Sequence, residues 1–167
     1  MKIFYDTFAT PVGDFSVGVD AGGALLATAF GGLTELRRRF AVEEAVHDPD
    51  LSAAVRAEIR EYFAGMRRQF TTNLSPGGSA FQKKVWAALL HIPFGETRSY
   101  GEVATEIGQP GAARAVGRAN ALNPICVIIP CHRVIGADGS LTGFAFGESI
   151  KRELLSLESN IARKLTV

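Results

Sequence analysis

The chain has 167 residues, of which 47% are hydrophobic and 21% charged, and its formal net charge at pH 7 is +1. This length and composition allow a packed core in one domain or two small ones, and they exclude intrinsic disorder. No apolar run approaches the length of a membrane-spanning helix, and the first residues lack a signal-peptide core. We therefore expect a cytoplasmic protein without membrane contact.

The first part of the chain predicts a small sheet followed by helices. Three short strands are predicted at residues 2–8, 15–20 and 24–30, and turns rich in Gly and Pro between them favour an antiparallel meander. A short helix is predicted at residues 33–40. Asp50 is expected to cap a longer helix with one apolar face, formed by Leu51, Val55, Ile59, Tyr62, Phe63 and Met66. Residues 1–75 are interpreted as a scaffold domain because they hold no concentration of reactive residues.

Residues 73–78 are predicted to be a linker, and residues 79–167 a second, mainly helical domain. Its first helix is expected to be capped by Ser79, to stop near Pro93 and to bury Phe81, Val85, Trp86 and Leu89. Residues 99–102 fit a capping box that opens a short helix through Ile107. A second helix is predicted at residues 112–122, ended by Asn123-Pro124. Two short helices joined by a tight turn form a helix-turn-helix pattern, which in many proteins is only a packing unit.

Cys131 and His132 follow a predicted strand at residues 125–129, which Pro130 ends. A thiol beside an imidazole is a candidate nucleophile, although a structural cysteine at a strand end is the commoner case. Within such a strand, the odd separation of Cys126 and Cys131 places their side chains on opposite faces, which argues against a disulfide. The cysteines and histidines show no metal-ligand spacing, so no metal is expected.

The region before and after Cys131 supplies further candidates. Between Ile107 and Ala137 there is no acidic residue, while Arg114, Arg118 and Arg133 are present, so an anion could approach this face; an ordinary surface with a few arginines is the alternative. A loop punctuated by glycine spans residues 136–147. The last predicted helix covers residues 149–158 and is expected to bury Ile150, Leu154 and Leu157.

Several short motifs occur together at fixed separations between about Gly78 and Glu158. They are Phe81-Gln82, Val85-Trp86, Ile92-Pro93, Gly95-Glu96-Thr97, Ser99-Tyr100-Gly101, Arg114-Ala115-Val116-Gly117, Asn123-Pro124 and Pro130-Cys131-His132-Arg133-Val134. In this order the chain resembles the O6-alkylguanine-DNA alkyltransferases, the methylated-DNA–protein-cysteine methyltransferases, while its N-terminal part matches only loosely. The resemblance implies an α/β (α+β) protein, with an N-terminal antiparallel sheet with helices and a C-terminal helical domain that carries the helix-turn-helix.

The resemblance also implies a chemistry: direct, single-turnover transfer of an alkyl group from O6-alkylguanine in DNA to Cys131, without a cofactor. In this interpretation His132 takes the thiol proton through a bridging water, because adjacent residues on extended backbone point apart. Glu158 orients His132 and favours its cationic form. Tyr100 donates to the leaving guanine, and Asn123 links the recognition helix to the site. Some relatives carry zinc near the N-terminus, but no cysteine precedes Cys126.

The expected partner is double-stranded DNA, bound in its minor groove by a monomer. Arg114 would fill the gap that a flipped base leaves, Ala115 and Gly117 would permit close approach, and Arg118 would contact a phosphate. Alanines of this kind are also simply good helix formers.

The substrate pocket is expected to comprise Tyr100, Val134, Phe144, Ala145, Phe146 and Lys151. Relatives often have glycine where Phe146 stands, so we predict that its ring narrows the pocket mouth; the alternative is a ring at the rim that stacks on an aromatic substituent and helps it bind. Two other functions remain open on the sequence: a protein that binds the lesion without reacting, and a Cys-His hydrolase that would turn over.

Overall fold

The computed structural model describes residues 1–164, and the chain forms two compact units, Met1–Gly77 and Gly78–Val167. The elements of the first unit are β1 (Lys2–Thr10), β2 (Gly13–Val19), β3 (Leu25–Phe30), α1 (Leu33–Arg39), β4 (Glu44–His47) and α2 (Ala53–Phe63). The strand order is β3-β2-β1-β4, and the β1–β2 and β2–β3 pairs are antiparallel. The three predicted strands, their meander and the short helix are therefore confirmed.

Strand β4 was not predicted, and it makes the sheet mixed because it pairs with β1 in parallel. Its four residues are exposed or half-buried. A short, exposed edge strand of this kind has no apolar alternation by which a sequence pattern could reveal it.

The predicted face of α2 needs two corrections. The helix begins after Ser52 rather than at Asp50, and Met66 is 81% exposed. Gly65 adopts a φ of 76°, a left-handed conformation that ends the helical path and turns the following residue out of the apolar face. The predicted linker is partly ordered against the sheet, since Leu25 exchanges backbone hydrogen bonds with Asn73 and Ser75.

The second unit is mainly helical, as predicted. Its elements are α3 (Ala80–Leu89), β5 (Arg98–Ser99), α4 (Tyr100–Glu106), α5 (Ala113–Ala121), a 3₁₀ turn (Cys131–Arg133), β6 (Val134–Ile135) and α6 (Glu148–Lys164). Ser79 and Ser99 each form the two reciprocal hydrogen bonds of a capping box. Helix α3 ends at Leu89, earlier than expected, and Phe81 is only half-buried.

Helices α4 and α5 form the predicted helix-turn-helix, with Gly108 at a φ of 77° after α4. Helix α5 also packs against α3, where the Trp86 indole donates to the carbonyl of Ala119 at 2.8 Å. This contact fixes one face of α5 and leaves the opposite face exposed.

Helix α6 is longer than predicted, and its buried residues are Lys151, Leu154 and Glu158. Ile150 and Leu157, which were expected on the buried side, are only half-buried. Two of the three buried positions are therefore charged, which is unusual for a helix that packs on a core. Within residues 1–164, no helix combines the length and apolar character that crossing a bilayer requires.

Candidate active site

The segment before Cys131 is a buried turn, and the predicted strand at residues 125–129 is wrong. Val127 has a φ of 74°, and the Ile129 amide donates to the Ile125 carbonyl at 3.0 Å. Asn123 supplies the hydrogen bonds that a neighbouring strand would have supplied. Its Nδ2 donates to the Ile129 carbonyl at 2.8 Å, and its Oδ1 accepts from the Ile125 amide at 3.0 Å. A buried backbone can leave regular structure only when its polar groups are paired in this way.

Asn123 therefore does connect the end of α5 with the reactive segment. Cys126 and Cys131 are both buried thiols, but the strand alternation that separated them in the prediction does not exist.

Cys131 is 3% exposed and begins the 3₁₀ turn. Its amide donates to the Ile129 carbonyl at 2.7 Å. Its carbonyl accepts from Nδ2 of Asn120, which lies on α5, at 3.2 Å. The role of Asn120 was not predicted from the sequence. A polar residue on the same helix face as the apolar Val116 and Ala119 could have indicated a buried hydrogen bond. The backbone of Cys131 is thus held directly by the second helix of the helix-turn-helix.

His132 and Glu158 form the predicted contact, with 2.7 Å between Nε2 and Oε2, and both side chains are buried. The residues 131–133 form a 3₁₀ turn, so the extended backbone assumed for Cys131 and His132 is wrong. Within the described part of the chain, Nδ1 of His132 is buried and has no hydrogen-bond partner. This nitrogen is the one that remains for a proton from the thiol.

Arg133 completes this cluster instead of lying on an anion-binding surface. It is 5% exposed, and its Nε and Nη2 donate to Oε1 and Oε2 of Glu158 at 2.8 and 3.1 Å. Its Nη1 donates to the Ile92 carbonyl at 2.7 Å, and its guanidinium carbon lies 5.6 Å from the centre of the Phe94 ring. The prediction that Arg133 contributes to an exposed basic face is wrong, because a guanidinium is well placed to form such a double hydrogen bond with a buried carboxylate.

Burial and these charges together determine the pKa values of His132 and Glu158. Burial alone would raise the pKa of Glu158, but the charges and hydrogen bonds of His132 and Arg133 outweigh it and lower that pKa strongly. Burial lowers the pKa of His132; Glu158 opposes this effect, while Arg133 and Lys151 add to it. The net direction is downward, which favours the neutral imidazole over the expected cationic form.

Lys151 is 0% exposed, and its Nζ donates to the carbonyls of Val134 at 2.5 Å and Thr142 at 3.3 Å. Burial lowers the pKa of Lys151, and the charges of Cys131 and Glu148 oppose that shift. Val134 is also fully buried. Both side chains are therefore buried in the interior, and Lys151 brings a cation near the thiol.

Tyr100 is half-buried between α5 and the loop that precedes α6. Its hydroxyl donates to the Thr142 carbonyl at 2.7 Å. A Cβ added at Gly117 would lie 3.8 Å from its ring, and one added at Gly143 would lie 2.5 Å from its hydroxyl. Burial, with a smaller contribution from Cys131, raises the pKa of Tyr100, so its phenol keeps its proton and stays a donor.

The loop before α6 carries an aromatic pair. The rings of Phe144 and Phe146 meet edge to face, with centroids 5.8 Å apart and an interplanar angle of 74°. Both are half-buried, whereas Ala145 between them is exposed.

The exposed face of α5 contains the predicted DNA-contacting residues. Arg114, Ala115 and Arg118 are exposed, and Gly117 is half-buried beside Tyr100. Long cations beside small residues on one helix face suit close approach to a phosphate backbone.

The second helix of a helix-turn-helix holds the backbone of Cys131, and the buried His132–Glu158 pair lies next to that thiol. This arrangement is typical of a DNA-binding protein with a reactive thiol. Residues 80–160 match the family model described as 6-O-methylguanine DNA methyltransferase, DNA binding domain. A methylated-DNA–protein-cysteine methyltransferase of Methanosarcina acetivorans is 43% identical over 159 residues, covering 95% of this chain and 99% of its own. That of Mycobacterium tuberculosis is 46% identical over 162 residues, covering 96% and 94%. The chain belongs to the methylated-DNA–protein-cysteine methyltransferase family.

Solved structures agree with this assignment. The crystal structure of Mycobacterium tuberculosis O6-methylguanine methyltransferase superposes with a TM-score of 0.85 at 44% identity, over 95% of this chain and 93% of the other. A structure of that protein in complex with DNA gives a TM-score of 0.85 at 43% identity, over 96% and 94%. The α+β fold class is therefore confirmed.

Proposed function

We propose that this protein repairs DNA by moving an alkyl group from the O6 atom of guanine to the sulfur of Cys131, once per molecule. The observation that carries the proposal is the buried contact of His132 with Glu158, next to Cys131 and inside the region that matches a DNA-binding domain. The relatives named above are methylated-DNA–protein-cysteine methyltransferases by name. The sequence match covers nearly their whole length.

The reaction is a displacement at the alkyl carbon. The Cys131 thiol gives its proton to Nδ1 of neutral His132, directly or through a water, and the resulting thiolate attacks the carbon. A carbon–sulfur bond forms and the carbon–O6 bond breaks, with the electron pair moving into the guanine ring. The guanine then takes up one proton, so the thiol proton is balanced by the proton on the restored base. The thioether product has no route to regeneration in these steps.

DNA is proposed to approach the exposed face of α5 through its minor groove. Cys131 is 3% exposed, so a base stacked in the duplex cannot reach its sulfur, and the damaged nucleotide must rotate out. Arg114 is exposed on this face and supports the role of refilling the gap, while Arg118 supports a phosphate contact. Tyr100 lies beside α5 and keeps its phenolic proton, which turns from the Thr142 carbonyl to the leaving base in this proposal. A single chain carries all these groups, which supports a monomer as the acting form.

Incubation with DNA that contains O6-methylguanine tests the function. We expect the intact mass to rise by one methyl group and peptide mapping to place it on Cys131. Cys131→Ala should show no gain, and the matched variant Cys126→Ala, which removes the other buried thiol, should still react. Methyl on Cys126 would contradict the assignment. An unchanged mass with retained binding would indicate a lesion-binding protein, and released product with unchanged protein a hydrolase.

A further inference from the structure

Arg133 has a defined arrangement that the transfer step described above does not use. It shares both oxygens of Glu158 with the other groups around that carboxylate: Oε2 also contacts His132, and Oε1 also accepts from the Gly95 amide at 3.3 Å. The third guanidinium nitrogen is fixed by the Ile92 carbonyl. A guanidinium bound on two sides cannot move away from the carboxylate without leaving a buried charge unpaired.

This geometry decides which nitrogen of His132 carries a proton. An arginine that donates to both oxygens of a carboxylate requires the ionised form, which only accepts hydrogen bonds. Nε2 of His132 must therefore be the donor to Oε2, and Nδ1 is left with its lone pair. Nδ1 is the buried nitrogen that has no partner among the described residues.

Burial and the charges around the imidazole together decide whether Nδ1 also carries a proton. Glu158 and Lys151 lie on α6, and their charges influence the pKa of His132. Arg133 does the same from the 3₁₀ turn that also contains Cys131 and His132. Helix α3, which also packs on this turn, buries only Val85, Trp86, Ala88 and Leu89, none of which is titratable. A lone carboxylate next to a histidine would stabilise the imidazolium and block Nδ1. Arg133 offsets the negative charge of that carboxylate.

We infer that Arg133 is a positioning residue for the proton transfer: its guanidinium takes up the charge of Glu158, so that the carboxylate orients His132 in its neutral form. Without Arg133, Glu158 would still orient the ring, but its charge would oppose more strongly the effect of burial, which lowers the pKa of His132. With Arg133 present, the ring is oriented and remains able to accept the thiol proton. This inference rests on the proposed function, because it assigns Arg133 a role in that same transfer step.

The test compares Arg133→Met with Arg133→Lys in the full chain. The chain has three histidines, so the His132 imidazole can be followed by NMR as a function of pH. In Arg133→Met the His132 titration midpoint should rise by about one pH unit or more, and the acid side of the pH–rate profile for methyl transfer should move upward with it. Arg133→Lys keeps the charge and should stay near the wild-type midpoint. Arg152→Met removes an exposed arginine from α6 and should leave the midpoint unchanged.

A purely structural role would lower the stability of Arg133→Met without moving the midpoint, and that result would overturn the inference. If Arg133→Met does not fold, the double variant Arg133→Met/Glu158→Gln removes both charges and is compared with Glu158→Gln. The double variant should then have the higher midpoint, and equal midpoints would overturn the inference. Methyl transfer to Cys131 with an unmoved midpoint leaves the proposed function standing. Absence of methyl transfer in the wild-type protein would contradict the proposed function, irrespective of the His132 midpoints of the Arg133 variants.

Discussion

Among residues 78–164 of the second unit, three charged side chains are buried: Arg133, Lys151 and Glu158. Each buried charge costs several kcal/mol that pairing repays only in part, and apolar residues of similar size are often no less stable. Their presence is therefore better explained by chemistry at Cys131 than by stability. At the level of single residues, the function therefore depends on the positions of these three charges around Cys131.

Arg114 is the single residue on α5 for which we expect an effect on flipping that exceeds its effect on the chemical step. Arg114→Ala should slow methyl transfer from duplex DNA about tenfold or more, since each 1.4 kcal/mol of lost support for the flipped state costs a factor of ten. Transfer from the free O6-methylguanine base, which needs no flipping, should change little. Arg118→Ala on the same exposed face is the comparison, and should mainly weaken DNA affinity in a salt-dependent manner. Equal slowing of duplex and free base would show that Arg114 shapes the pocket or the fold.

Phe146 is expected to limit the size of the alkyl group. Its ring packs edge to face on Phe144, which holds both rings in the loop that the family resemblance places beside the substrate. Accommodating a benzyl group would displace this pair at a cost of about 1–3 kcal/mol, or about five- to a hundredfold in rate. Phe146→Gly should raise the rate of benzyl transfer by that factor and leave methyl transfer nearly unchanged. A benzyl rate that stays the same or falls in the glycine variant would rule out the narrowing role.

At the scale of elements, the turn at residues 125–129 depends on one side chain. Asn123→Ala removes its hydrogen bonds to Ile125 and Ile129 and leaves buried backbone groups unpaired. We expect a loss of about 2 kcal/mol or more in the free energy of unfolding, together with slower alkylation of Cys131. Denaturant unfolding followed by the fluorescence of Trp86, the single tryptophan, measures the first effect. Asn160→Ala, at an exposed position of α6, should cost far less; similar losses in both variants would contradict the role of Asn123.

Elements with a local signal were predictable, and those that depend on distant partners were not. The capping boxes at Ser79 and Ser99 and the glycine after α4 are written within a few residues, and they fixed α3 and α4. The turn at residues 125–129 has the composition of a buried strand, and the hydrogen bonds that the Asn123 side chain makes with it cannot be read from that composition. The same holds in the site: Cys131, His132 and Glu158 were found through the motif, whereas Arg133 and Asn120 depend on contacts across the fold.

For the whole molecule, the cluster around Glu158 predicts a pH dependence of stability. The pKa of His132 is lowered in the folded state. Its contribution to the free energy of unfolding is therefore complete above the pKa of the unfolded state, about 6.5, and is lost as the pH falls below that value. Between pH 6.5 and 5 the loss is at most about 2 kcal/mol. Glu158, whose pKa is also lowered, adds a further loss as the pH falls through about 4.3.

His132→Gln, which can still donate to Glu158, should flatten the profile between pH 6.5 and 5 when unfolding of the second unit is followed by Trp86 fluorescence. His91→Gln changes an exposed histidine in the same unit and should keep the wild-type slope. A wild-type slope in His132→Gln would show that other groups cause the loss.

Helix α6 follows Cys131 in the chain, and this order affects when the thiol becomes reactive during biosynthesis. Cys131 precedes the helix that supplies Lys151 and Glu158, and the chain leaves the ribosome in that order. A nascent chain that has reached only the loop before α6 already displays the thiol but lacks its buried cation and the carboxylate that orients His132. Such a chain holds an ordinary cysteine, with the reactivity of any unfolded thiol. The nucleophile is therefore assembled only after α6 has been synthesised and has docked, which delays its activation until the domain around it is complete.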